Sequence, residues 1–319
     1  MKPAKALRSI ICLMGLGWAQ VWAGESGLGQ QAAPLAEVQL TGCSVKTACL
    51  FPWHGLLSLD DFSPIDLTRV PGHVLSYRDQ QLCEWHVVLT TKGPKVFHER
   101  EDYRRDSDSL KLSSSAEKRP WDSGGKSLVV AVSDGYIVAR DAGEWGADLW
   151  WLRKDGRESA LLGKQHVTDL LATPKGVVAT VDSSETGPPS GRAGQILLIA
   201  RTPDGRWQVS RLTETVKPAL TAALRANGDV LIATGNQLLR LDTRGSVRLL
   251  HAGRWSEALK YPPPVEAIGS FSPNSILPLA NGDILIGMSA AIVRLTPGPV
   301  GYLETWYVPR SASEQLLGQ

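Results

Sequence analysis

Two stretches of this chain, 54 residues apart, are near copies of each other. Ala226-Asn227-Gly228-Asp229-Val230-Leu231-Ile232 is matched by Ala280-Asn281-Gly282-Asp283-Ile284-Leu285-Ile286. Each continues into a second apolar run, Gln237-Leu238-Leu239-Arg240-Leu241 in one and Ala291-Ile292-Val293-Arg294-Leu295 in the other. Asn-Gly followed by Asp is turn chemistry, because Gly and Asn tolerate positive φ and the short side chains bond their own backbone. The runs that follow are short and rich in Val, Ile and Leu, which marks strands rather than helices. A unit of turn, strand, turn, strand cannot bury its apolar faces alone, so copies of it must stack.

Three weaker copies fit the same template. Gly135-Tyr136-Ile137-Val138-Ala139-Arg140 leads to Leu149-Trp150-Trp151-Leu152-Arg153. Gly176-Val177-Val178-Ala179-Thr180 leads, after an insertion, to Ile196-Leu197-Leu198-Ile199-Ala200-Arg201. Gly72-His73-Val74-Leu75-Ser76-Tyr77 leads to Leu82-Cys83-Glu84-Trp85-His86-Val87. An apolar stretch precedes each glycine and a further strand follows the second turn, as in Trp207-Gln208-Val209-Ser210-Arg211-Leu212. The unit is therefore four strands, a to d. Its anchoring glycines fall at 72, 135, 176, 228 and 282, with spacings of 41 to 63 residues, and a propeller blade of about 40–50 residues tolerates insertions on that scale. The sequence predicts an all-β fold, a β-propeller of four-stranded blades, with five visible and five to seven in all. Residues 24–319 form one domain, with clear repeats over 65–309 and residues 36–59 either completing a blade at the ring closure or forming part of a sixth. A pair of β-sandwiches or an irregular solenoid are the rival all-β folds.

The Asn-Gly-Asp turn before the second strand resembles the repeat of two-component-regulator and gluconolactonase-type propellers, over roughly residues 65–309. The gluconolactonase-type resemblance implies a metal-dependent hydrolase or lyase, with a divalent ion held at the ring axis by carboxylates from several blades. The visible first strands, residues 167–171, 219–223 and 275–279, offer only Asp169 for that role, which weighs against it. Asp229 and Asp283 read as turn-stabilising carboxylates rather than metal ligands.

The N-terminus fixes a destination. Lys2, Lys5 and Arg8 precede an apolar run at 9–18, and Val21 and Ala23 give an A-x-A-like end. This is the layout of a secretory signal over residues 1–23, and the run is too short to span a bilayer, which needs about 20 residues. Taking those three cations from 34 leaves 31 Lys and Arg against 32 Asp and Glu. A near-neutral mature chain argues against nucleic acid as a partner, and no later segment is apolar enough to be transmembrane. Export to the periplasm or outside the cell permits disulfides. Cys43, Cys49 and Cys83 remain after cleavage; Cys43 with Cys49, or either with Cys83, are the open pairings.

In an up-and-down blade the a–b and c–d turns share one end, and the b–c and d–a connections share the other. The short stereotyped turns all belong to the first set. The insertions belong to the second: 141–148 with Glu144 and Trp145, 182–194 with Glu185 and Arg192, 99–125, and 253–269 with Arg254, Trp255 and Tyr261. Loops on a rigid scaffold carry function, and aromatic and Arg residues dominate binding hot spots. These residues are thus the candidate binding set for a protein, peptide or glycan ligand, with no catalytic group and no cofactor assigned. Trp85 and Trp207 are assigned to inter-blade core, and one of Trp150 and Trp151 is expected to face a neighbouring blade. Gly27-Leu28-Gly29-Gln30-Gln31-Ala32 imitates a dinucleotide fingerprint without the strand and helix it requires. Ser115-Ala116-Glu117-Lys118 lacks the partner motifs of a serine acylase. The six histidines show no local zinc spacing.

Overall fold

The computed structural model describes residues 56–65, 84–99, 126–141, 146–182, 193–253, 255, 272–288 and 291–309. Among the described residues the architecture is all-β apart from one 3-10 turn at Leu59–Asp61. Three antiparallel sheets of four strands follow one another along the chain. The first holds β4 (Lys126–Val132), β5 (Gly135–Asp141), β6 (Ala147–Arg153) and β7 (Ser159–Gly163). The second holds β8 (His166–Thr173), β9 (Gly176–Asp182), β10 (Gly194–Arg201) and β11 (Trp207–Thr215). The third holds β12 (Ala219–Leu224), β13 (Val230–Thr234), β14 (Gln237–Leu241) and β15 (Val247–Ala252). A last sheet of β16 (Pro273–Pro278), β17 (Ile284–Met288), β18 (Ile292–Gly298) and β19 (Gly301–Pro309) takes a fifth strand, β1 (Phe62–Ile65), on its outer edge. The remaining hairpin is β2 (Glu84–Thr90) and β3 (Gly93–Glu99).

Each four-stranded sheet is up-and-down, and sheets pack through their first strands in the order β4, β8, β12, β16, β2. The interfaces between them are apolar. One cluster joins Ile137 and Leu149 of the β4–β7 sheet to Val177 and Ile199 of the next. Another joins Leu231 and Leu238 to Ile286 and Val293. Burying a Val, Leu or Ile side chain stabilises by about 1.5–3 kcal/mol, so these faces, rather than the turns, carry the stability.

The hairpin corrects the reading of the first repeat. Residues 82–87 are expected to be a third strand following Gly72, but β2 packs against β16 and β17 as a first strand does, and its turn glycine is Gly93. The turn chemistry agrees. Thr90 Oγ1 donates to Gly93 O and accepts from Lys92 N, as Thr173 does with Gly176 O and Lys175 N. Thr-x-Lys-Gly is thus the shared signature of these two turns. Gly72 and its neighbours lie outside the described residues.

The segment just before the repeats holds the two termini of the fold together. Leu57 forms an antiparallel bridge with Val96 of β3, and β1 then pairs with β19 from Phe62↔Pro309 to Ile65↔Trp306. The ring of Phe62 meets that of Trp85 edge-on at 5.1 Å. The expected closing segment, 36–59, is described only from residue 56; its last residues bridge to the first hairpin, and β1 follows directly.

Candidate functional site

The loop-bearing end follows from strand direction. Thr168 Oγ1 donates to Ala219 O at 2.6 Å, and Ala222 N donates to Asp169 Oδ2 at 2.9 Å. The start of β8 therefore lies beside the start of β12. Asn274 Nδ2 donates to Glu84 Oε2 at 2.6 Å and Val87 N donates to Ser275 Oγ at 3.0 Å, so β16 and β2 also start side by side. The b–c and d–a connections leave from the end at which these first strands begin. Described strands flank the insertions at 142–145 and 183–192 and the connection after Gly253 on this end.

A polar belt lines the starts of the inner strands. In β8, β12 and β16 the register against the second strand slips at one residue, namely Thr168, Leu220 and Asn274. A bulge re-aims the side chain it carries. Here it turns Thr168 and Asn274 toward the neighbouring sheet, where they make the lateral bonds above. Thr168 Oγ1 also lies 2.7 Å from Thr180 Oγ1. Asp169, the one inner-strand carboxylate foreseen as a metal ligand, accepts from Ala222 N, from Thr221 Oγ1 at 3.0 Å and from Leu170 N at 2.8 Å. Its Oδ2 ties β8 to β12, and its Oδ1 bonds within β8. Among the described residues no group of three or more His, Cys, Asp and Glu could hold a metal ion. At the same end His166 Nδ1 lies 3.3 Å from Asp141 Oδ1, bridging two sheets.

The opposite end is closed by turns that satisfy themselves. Asp229 is buried, accepts from Asn227 Nδ2 at 2.7 Å and pairs with Arg240 at 2.7 Å. Asp283 does the same with Asn281 and Arg294. Burial works against the Asp283 carboxylate, but the bonds from Arg294 and Asn281 outweigh it and hold its pKa below the ordinary value. Asp134, in the β4–β5 turn, accepts from the indoles of Trp151 (3.3 Å) and Trp207 (3.2 Å), and Arg201 stands 3.4 Å away. Trp207 and Arg201 belong to the next sheet, so this carboxylate staples two sheets.

Of the candidate ligand residues, Trp255 is described, and its place is in the core. It is fully buried, and its indole donates to Thr234 O at 3.0 Å. A Cβ at Gly253 would strike its ring. An apolar ring this large is more stable buried than exposed on a loop, which removes Trp255 from the ligand-facing set. Glu144, Trp145, Glu185, Arg192, Arg254 and Tyr261 lie outside the described residues, as do Cys43, Cys49 and Cys83. Trp85 and Trp207 take the inter-sheet places expected of them, and Trp151 packs on the cluster shared with the β8–β11 sheet. Sequence reading missed the bulged latches at Thr168 and Asn274, since a slip in pairing leaves no mark in composition.

No protein-family model and no curated protein matches this sequence. Among solved structures the chain is similar to puromycin hydrolase, at 18% identity over 70% of this chain and 38% of that one, with a TM-score of 0.39. It is also similar to the extracellular domain of a hybrid two-component system from B. thetaiotaomicron, at 14% identity, 71% and 26% coverage and a TM-score of 0.36. Virginiamycin B lyase from Staphylococcus aureus gives 14% identity, 76% and 87% coverage and a TM-score of 0.35. At these values the likenesses assign neither a family nor an activity. Among the described residues no helix is long and apolar enough to cross a membrane.

Proposed function

We propose that this chain is an exported β-propeller that binds a protein, peptide or glycan on its loop-bearing end and performs no chemistry there. One observation carries the reading: the two ends of the sheets are built differently. The turns at one end bond within themselves or to the adjoining sheet, through Asp134, Asp229 and Asp283. The other end carries the long insertions on a floor of laterally bonded inner strands. A rigid floor with variable loops above it is how repeat scaffolds present a binding surface. Glu144, Trp145, Glu185, Arg192, Arg254 and Tyr261 supply aromatic and charged groups on those loops; Trp255 acts from below, as a core residue. The hairpin β2–β3 serves as the inner half of the first blade, and residues 57–65 close the ring between it and the last. Residues 1–23 act as the export signal.

The test is capture of partners from an envelope or culture-fluid extract by purified mature protein, compared with a Trp145→Ala, Arg192→Ala variant of the same thermal stability. Loss of the captured species in the variant supports the reading; an unchanged set overturns it. A stoichiometric divalent ion in the purified protein would instead favour a metal-dependent hydrolase or lyase.

A further inference from the structure

The outer edges of the sheets are not equivalent. In β7, β11 and β15 the pairing with the third strand skips one residue, and that residue is Leu162, Leu212 or Leu250. Each of these leucines packs against a core cluster, so the bulges are anchored rather than frayed. The β18–β19 pairing instead runs unbroken from Ile292↔Tyr307 to Gly298↔Gly301. In the β14–β15 pairing the bulge falls between Leu239 and Leu238, the places taken in the last repeat by Val293 and Ile292, which pair with Trp306 and Tyr307. The step between those two is where β1 is paired, through Ile65↔Trp306 and Pro64↔Tyr307. Among the described residues no strand pairs with the outer edges of β7, β11 or β15. Among the described residues the bulged edges of β7, β11 and β15 carry no added strand, whereas the regular edge of β19 carries β1.

We propose that the anchored bulges in β7, β11 and β15 bar those edges to an added strand, and that the unbulged β19 is thereby the only one of these four outer strands open to the 62–65 segment that straps the last sheet to the first hairpin. The physical basis is general. An added strand needs the N–H and C=O groups of an edge at even spacing, and a bulge breaks that spacing and twists the edge away. With four similar outer strands among the described residues, hydrogen bonding alone would not discriminate among them. A strap on the wrong sheet would leave Leu57 and Phe62 without their partners Val96 and Trp85.

The experiment is amide hydrogen exchange on the full-length chain, read by mass spectrometry. A single Ala inserted between Trp306 and Tyr307 imposes on β19 the geometry of the other three. Exchange across residues 62–65 is then expected to rise by about tenfold or more while β8–β14 stay protected. Unaltered protection at 62–65 overturns the proposal. Because the insertion can unfold the whole chain, the unaltered protein is also mixed with a synthetic peptide of residues 59–66. No new protection in β7, β11 or β15 is expected at saturating peptide. Protection gained on any of those edges overturns the proposal whatever the insertion does.

Discussion

Asp134 gives the sharpest test of how the sheets are held together. Replacing it with Ala leaves the indole N–H groups of Trp151 and Trp207 without their acceptor and removes the partner of Arg201. A hydrogen bond to a charged group contributes about 1.5–3 kcal/mol when well buried. These bonds are long, at 3.2 and 3.3 Å, and the carboxylate is 24% exposed, so about 1 kcal/mol each is the better figure. Arg201, at 48% exposed, adds about 0.5 kcal/mol or less. Asp134→Ala is thus expected to cost about 2–2.5 kcal/mol. For a chain of this length that lowers Tm by about 3–4 °C, measured by tryptophan fluorescence on heating. Arg201→Ala should move Tm by a small fraction of that, and Asp134→Asn, which keeps one acceptor oxygen, should fall between. A double-mutant cycle of Asp134→Ala with Trp207→Phe should return a coupling of about 1 kcal/mol. If Asp134→Ala lies within about 0.5 kcal/mol of the parent, or if Arg201→Ala matches it, the staple is not what joins these sheets.

Three further outcomes follow from the same geometry. Gly287→Ala would drive a Cβ into the carbonyl oxygen of Trp85, and an overpacking cost of about 1–3 kcal/mol should appear first as faster amide exchange in β2. Trp255→Ala should lose about 3–5 kcal/mol in denaturant unfolding, as for a fully buried aromatic, whereas Trp145→Ala should leave stability within about 0.5 kcal/mol and reduce partner capture. Asp283 has a lower carboxyl pKa folded than unfolded, so its ionised form stabilises the protein above the ordinary carboxylate pKa of about 3.9; that contribution fades as pH falls below this value, and Asp283→Asn should flatten the acid limb of an unfolding-versus-pH curve.

Much of the strand pattern was legible because turns are chemically explicit. The two Asn-Gly-Asp turns announce their sheets, and Asp229 and Asp283 hold the turn places read for them. Their partners stand eleven residues on in both repeats, at Arg240 and Arg294, but nothing in the sequence marks those arginines as partners of the turn carboxylates. The first repeat was misread because Gly72 follows the Gly-x-Val pattern, while the better match, Thr90-Thr91-Lys92-Gly93 with Thr173-Pro174-Lys175-Gly176, lies in turn side chains rather than in strand hydrophobicity. Trp255 illustrates a different limit. A tryptophan on an insertion looks the same in sequence whether it faces a ligand or folds back onto the core, and only the space left by Gly253 decides between them. The bulges were invisible for a third reason: the leucines at 162, 212 and 250 read as ordinary strand residues, and the slip exists only in the pairing.

Two exposed valines report whether one end of the sheets binds a partner and the other does not. Val216 is 73% exposed in the connection after β11, on the loop-bearing end, and Val300 is 96% exposed in the β18–β19 turn, on the opposite end. A photo-crosslinking amino acid placed at each position in turn, and activated in producing cells, reports which end meets a partner. Adducts are expected from position 216 and none above background from position 300. Adducts from position 300 that equal or exceed those from 216 would contradict it.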